Sequence, residues 1–163
     1  MTRHAALLFA ACCLLAACGK PGVPADAEKV RAALTGDDKQ TAAQNPQCQA
    51  FKASEIAAYI GEPVNAPDNA GAGLGCQWTA KDGSGDVIVT VVPAEYHEKP
   101  SGGKGFHTLP APGTEAFVAP YFDGWLAGAI TGANAVRVST AGAAASEATT
   151  IALLTEAAKR VGK

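Results

Sequence analysis

The chain has 163 residues, of which 48% are hydrophobic and 17% charged, and its formal net charge at pH 7 is −2. Charge this close to neutral, with no basic cluster, leaves out the electrostatic footprint that a nucleic-acid partner or an anionic surface requires. Length and apolar content are those of one globular domain able to bury a core, and unlike those of a disordered chain.

Met1-Thr2-Arg3-His4 precedes Ala5 to Ala17, a run built only of Ala, Leu, Phe and Cys. A membrane-spanning helix needs about 20 apolar residues, so this run is too short to be one. A basic start, a short apolar run and a small-residue exit instead make an export signal. The exit, Leu15-Ala16-Ala17-Cys18, resembles the lipobox of bacterial lipoproteins. That resemblance implies that residues 1–17 are a signal peptide and that the Cys18 thiol takes diacylglycerol. It also implies that the chain is cut before Cys18 and its new amine acylated. Each buried methylene of such chains contributes ~0.8 kcal/mol, so two or three of them hold a protein stably at a membrane. In Gram-negative relatives an Asp after the lipidated Cys retains the protein in the inner membrane. Gly19 stands there, which favours the outer membrane and a lipid-anchored protein on the exported side of the cell envelope.

Cysteine usage follows from this address. Cys12 and Cys13 leave with the signal and Cys18 takes lipid, so Cys48 and Cys76 remain, and in an oxidising compartment they are expected to pair. The closed loop of about 29 residues stabilises by ~3.5 kcal/mol on a chain-entropy basis. A zinc site would need further Cys or His at close spacing, and His97 and His107 do not supply it, so no metal and no cofactor is expected.

Residues 18–47 contain Pro21, Pro24 and the polar cluster Gly36 to Gln40, and read as a lipidated N-terminus and flexible tether with a short helix over Ala25 to Leu34. A flexible chain of this length spans ~30 Å root-mean-square, enough to hold a domain off the bilayer. A single α+β domain is expected over residues 48–163. Its first helix runs from a Ser54 cap to Ile60, with Gly61 and Pro63 closing it. Cys76 to Ala80 and Asp86 to Val92 read as a hairpin across Lys81 to Gly85, with Cys76, Trp78, Val87, Val89 and Val91 facing inward. Pro93 to Pro112 reads as a long polar connection. Glu115 to Phe122 and Trp125 to Thr131 flank Asp123-Gly124, a strong hairpin signal, and Ala135 to Thr140 adds a strand. Ser146 to Val161 is an amphipathic helix with Ile151, Leu154, Ala158 and Val161 on one stripe and Lys159 and Arg160 near its end. The order predicts an antiparallel sheet of about five strands covered by helices.

Cys48, the helix end Ile60-Gly61-Glu62-Pro63-Val64, Cys76-Gln77-Trp78 opening a hairpin, Gly113-Thr114-Glu115-Ala116-Phe117 and a last helix occur in that order. This pattern resembles the small one-disulfide envelope lipoproteins of actinobacteria and some proteobacteria, with Gly113-Thr114-Glu115-Ala116 where that group carries Gly-Asp-Glu-Ala. Members of that group have been likened to the PsbP-like fold, so the resemblance implies a PsbP-like α/β/α sandwich; it implies little about activity.

Motifs for chemistry are scarce. Asp82-Gly-Ser-Gly-Asp86 begins like a calcium loop, but Val87 and Pro93 stand where Gly and Glu are needed. Gly71 to Gly75 precedes a strand, whereas a phosphate cradle opens a helix. Ser101 to Gly105 lacks the Gly and Ser/Thr of a P-loop. His97 and His107, with Glu95, Glu98 or Glu115, are the only imidazole and carboxylate groups from which a hydrolase could be built. Ser139 and Ser146 lie in no nucleophile elbow. Tyr121, Phe122 and Trp125 surround the Asp123-Gly124 turn, with Phe122 and Trp125 expected to face each other across it, either as a contact site at a loop tip or as core.

The expected function is a non-catalytic envelope lipoprotein with a binding or accessory role, its partners the membrane and an envelope protein or polymer. The alternatives are an inhibitor or immunity lipoprotein against an envelope-degrading enzyme, and a hydrolase using His97 or His107. Cys18→Ser should abolish lipidation and release the chain into the soluble exported fraction, or leave it uncut. Cell fractionation that finds it still cleaved and membrane-bound would reject the lipoprotein reading.

Overall fold

The computed structural model describes residues 40–142 and 145–161. The expected signal peptide, Cys18, and the tether as far as residue 39, including the helix expected over 25–34, lie outside the described residues.

A 3-10 turn, Ala42–Gln44, leads into α1 (Pro46–Gln49) and then α2 (Ala53–Ile60). Strands β1 (Asp68–Ala70), β2 (Gly75–Thr79), β3 (Gly85–Pro93), β4 (His107–Thr108), β5 (Thr114–Tyr121), β6 (Gly124–Thr131) and β7 (Asn134–Gly142) follow, and α3 (Glu147–Val161) closes the described chain. The strands form one antiparallel sheet in the order β1-β2-β3-β7-β6-β5-β4. The fold is therefore α+β with an antiparallel sheet, but of seven strands rather than about five. The two unforeseen ones are β1 and β4, three and two residues long. Segments so short carry no hydrophobic alternation and form only because β2 and β5 offer them unpaired edges.

The folded part also begins earlier than Cys48. Asn45 is fully buried; its amide donates to Asn69 Oδ1 at 2.8 Å and to the Gly75 carbonyl at 3.0 Å, and its oxygen accepts the Gln47 N–H at 2.9 Å. One side chain thus ties the end of the expected tether to β1 and β2 and caps α1. The start of α2 is likewise shifted: Lys52 is its N-cap, and the Glu55 carboxylate accepts the Lys52 amide at 2.7 Å, so Ser54 lies inside the helix. Gly61, at φ +77°, closes α2 as expected.

Alternation along the strands separates two faces. Cys76, Trp78, Val87, Val89, Val118, Ala127, Val136 and Val138 point to one side, where Cys48, Phe51 and Ile56 meet them together with Leu153, Leu154 and Ala157 of α3. The three α-helices cover this face. The buried stripe of α3 is Thr150, Leu153, Leu154, Ala157 and Ala158, with Ile151 and Val161 at its margins, because the helix also turns Thr150 onto Thr140 (Oγ1–Oγ1 2.7 Å). Burying a Trp, Leu or Val fully contributes roughly 1.5–3 kcal/mol each, so this layer supplies most of the driving force for folding.

The disulfide Cys48–Cys76 joins α1 to β2 across 28 residues, inside that layer. Phe51 meets Trp78 edge-on with ring centroids 6.1 Å apart, and the Arg160 guanidinium lies 4.2 Å over the Phe51 ring. Arg160 also donates to Glu55 and Glu156 at 2.9 Å and to the Ala50 carbonyl, which fastens the end of α3 to the start of α2. Those bonds, Arg160 first and the Lys52 amide second, hold the Glu55 carboxyl down at about 2. A lowered carboxyl pKa stabilises above the ordinary carboxylate range, and its contribution fades as pH falls toward 2.

Replacing both Cys48 and Cys76 with Ala should lower the melting temperature by about 10 °C, from ~3 kcal/mol of lost loop constraint in a domain of this size. An unchanged melting curve, or free thiols at both positions in protein taken directly from cells, would contradict the pairing.

Candidate functional site

The hairpin β5–β6 divides the three tip aromatics among three environments. Its register pairs Tyr121 with Gly124 and Pro120 with Trp125, so Phe122 and Asp123 form the turn and Phe122 does not face Trp125. This corrects the expected Asp123-Gly124 turn, and the reason lies in Gly124. A Cβ there would run into the Thr140 carbonyl of β7, so Gly124 serves the close approach of two strands inside the sheet. The left-handed turn position falls instead to Phe122, at φ +50°. A bulky side chain there costs roughly 1–2 kcal/mol.

Trp125 faces the helix layer and packs, half-buried, against the core cluster. Phe122 is 90% exposed, and Tyr121, 46% exposed, meets it edge-on with centroids 4.5 Å apart. Of the three expected contact residues, the structure therefore keeps Tyr121 and Phe122 at the surface and turns Trp125 to the helix-covered face.

On the face opposite the helices, strand pairing aligns Ile88, Ser139 and Leu126 in one row and Thr90, Arg137 and Gly128 in the next. One end of this face is roofed by the connection after β3, whose His97 and Phe106 rings lie 5.8 and 6.1 Å from Phe117. Phe117 in turn sits over Gly128, where a Cβ would come within 2.7 Å of the ring. The other end stays open as a depression of about 280 Å³, floored by Ile88, Thr90, Leu126, Arg137 and Ser139 and walled by Ala70-Gly71 on one side and Tyr121 on the other. These floor residues were visible in the sequence only as the outward half of alternating strands; nothing there showed that they share a depression.

The groups weighed for the alternative hydrolase reading lie apart. His97 Nε2 donates to the backbone carbonyl of Glu115 at 3.3 Å rather than to its carboxylate, and Glu115 lies at φ +51° within the irregular register between Thr114 and Phe117. His107 pairs with Glu147 at 3.3 Å, both of them exposed. Glu98 turns toward Arg137, accepting from its Nη2 through the backbone carbonyl at 2.8 Å. Among the described residues no three Cys, His, Asp or Glu side chains converge as a metal site. The Asp82 loop is a local turn: Asp82 Oδ1 accepts the Ser84 amide at 2.9 Å, which lowers its carboxyl pKa, and Asp86 accepts from Gln77. Comparison with protein-family models, with curated proteins and with solved structures finds no match for this chain.

Phe122→Gly should keep the fold and raise stability by up to about 1 kcal/mol, since glycine accepts a positive φ without strain. Trp125→Ala should cost about 2 kcal/mol, because a half-buried ring loses part of the value of a buried one. Thermal melts of the two variants check this; a loss from Phe122→Gly as large as that from Trp125→Ala would mean that Phe122 is packed.

Proposed function

We propose that the protein is a non-catalytic lipoprotein of the cell envelope, held by acyl chains on Cys18 at the exported side, in the outer membrane where the cell has one. Its domain serves a binding or accessory role toward an envelope protein or polymer. The observation that carries the binding role is Phe122: an aromatic ring 90% exposed, at the tip of a hairpin anchored by Trp125, in a backbone conformation that a bulky side chain pays to adopt. Strain of this kind collects at sites where another constraint than folding acts, and exposed aromatic rings on a rigid support are favoured anchors for partners.

The export reading rests on the sequence from Met1 to Cys18, and the Cys48–Cys76 disulfide agrees with an oxidising compartment. The antiparallel sheet with helices agrees with the coarse plan of the one-disulfide envelope lipoproteins, and the PsbP-like arrangement is proposed on that likeness. A hydrolase reading draws little support from His97 and His107, which have separate partners, the Glu115 carbonyl and Glu147.

A photo-crosslinking phenylalanine analogue at position 122, in intact cells, should trap a discrete envelope component, whereas the same probe at exposed Lys99 should not. Equal trapping from both positions, or none from position 122, would reject the tip as the contact surface. Should the trapped component be a wall-degrading enzyme that the protein inactivates on mixing, the binding role becomes that of an inhibitor.

A further inference from the structure

The open depression on the sheet face away from the helices has a chemistry of its own, independent of what the hairpin tip contacts. Two guanidinium groups occur among the described residues, and they are treated differently. Arg160 is closely paired with two carboxylates at 2.9 Å. Arg137 is not: its nearest carboxylate, on Glu98, is 3.7 Å away and its side chain 88% exposed, so solvent screens most of that attraction. The Arg137 side chain is itself only 26% exposed, and its Nε–H is buried with no hydrogen-bond partner. Its Cγ and the Phe117 ring both border Gly128, 3.5 and 2.7 Å from where a Cβ there would lie, and its Nη2 donates to the Glu98 carbonyl at 2.8 Å. Arg137 lines the depression with a side chain that keeps 26% exposure and no close carboxylate, so its positive charge is left for an anionic acceptor.

The surroundings limit what that acceptor belongs to. Ile88 and Leu126 give the floor an apolar surface, Thr90 and Ser139 add hydroxyls beside Arg137, and the Tyr121 ring forms a wall. One positive charge stands in the depression, and Asp86 lies on the same face one row from Ile88, so a dianion such as phosphate is poorly matched. A depression of about 280 Å³ takes a small molecule rather than a chain segment. From this charge complementarity and shape we infer that the open sheet face binds a small free monocarboxylate with a compact apolar body. The carboxylate would be gripped by Arg137 and hydroxyl-bonded by Ser139 or Thr90, while the apolar body rests on Ile88 and Leu126 beside Tyr121.

The test uses the full 163-residue chain and 3-phenylpropionate as probe, with 3-phenylpropionamide and inorganic phosphate as comparisons. Titration followed by NMR should give saturable shifts of the Ile88 and Leu126 methyls, with Kd of about 1 mM or tighter for a ligand of this size. The amide and phosphate should bind at least about tenfold more weakly. Arg137→Met keeps an apolar stem over Gly128 and removes the charge, so its melting curve should hold while its affinity for the acid falls about tenfold or more. Ser139→Leu, filling the floor, should abolish binding of acid and amide alike, which keeps the test decisive if Arg137→Met folds poorly. Equal binding of acid and amide, preference for phosphate, full affinity in either variant, or no saturable shift with the acid would each overturn the inference.

Discussion

The fold depends on one antiparallel ladder, the pairing of β3 with β7 from Gly85↔Gly142 to Pro93↔Asn134. Without it the sheet falls into two units, β1 to β3 and β4 to β7, and the face that the helices cover is divided between them. The ladder sets Val87 beside Thr140 and Val89 beside Val138 under the helices, while Val91, beside Val136, is only partly buried at the margin. A one-residue slip would move that whole set to the other face, so the register is fixed by the burial it allows. The same pairing puts Ile88 against Ser139 and Thr90 against Arg137 on the reverse side, and so creates the open depression. Core and candidate site are two faces of one register.

The disulfide and the Arg160 cluster secure the helical layer to that sheet from two ends. Cys48–Cys76 fixes α1 to β2, and Arg160 joins α3 to α2 while stacking on Phe51, which leans on Trp78. Both restraints act on the helix-covered side. The opposite side carries the connection after β3 over one end only, so a rigid floor is left with part of its surface uncovered. A rigid scaffold with an uncovered patch and a strained hairpin tip beside it is where binding surfaces are usually built. Tyr121 belongs to both features, as the wall of the depression and the neighbour of Phe122.

The sequence by itself determined the elements whose signal is local. The caps and stops of α2 and α3 were legible to within a residue or two, as was the hairpin from Cys76 with Trp78 and Val87 inward, because periodicity and turn chemistry act over a few residues. The Cys48–Cys76 pair was legible by counting. Tertiary structure decided the rest. β1 and β4 exist only as additions to an edge, and Asn45 is recruited from the expected tether only because β1 and β2 present acceptors to it. The turn at Phe122-Asp123 was misplaced by one residue because Gly124 is demanded by the proximity of Thr140, sixteen positions away, which no local pattern encodes. That shift left Phe122 in solvent, while pairing with Thr140 of β7 turned Trp125 to the helix-covered face. Arg137 carried no motif at all; its under-paired guanidinium appears only when β3, β6 and β7 lie side by side, since a site made by long-range pairing leaves no spacing in the chain to read.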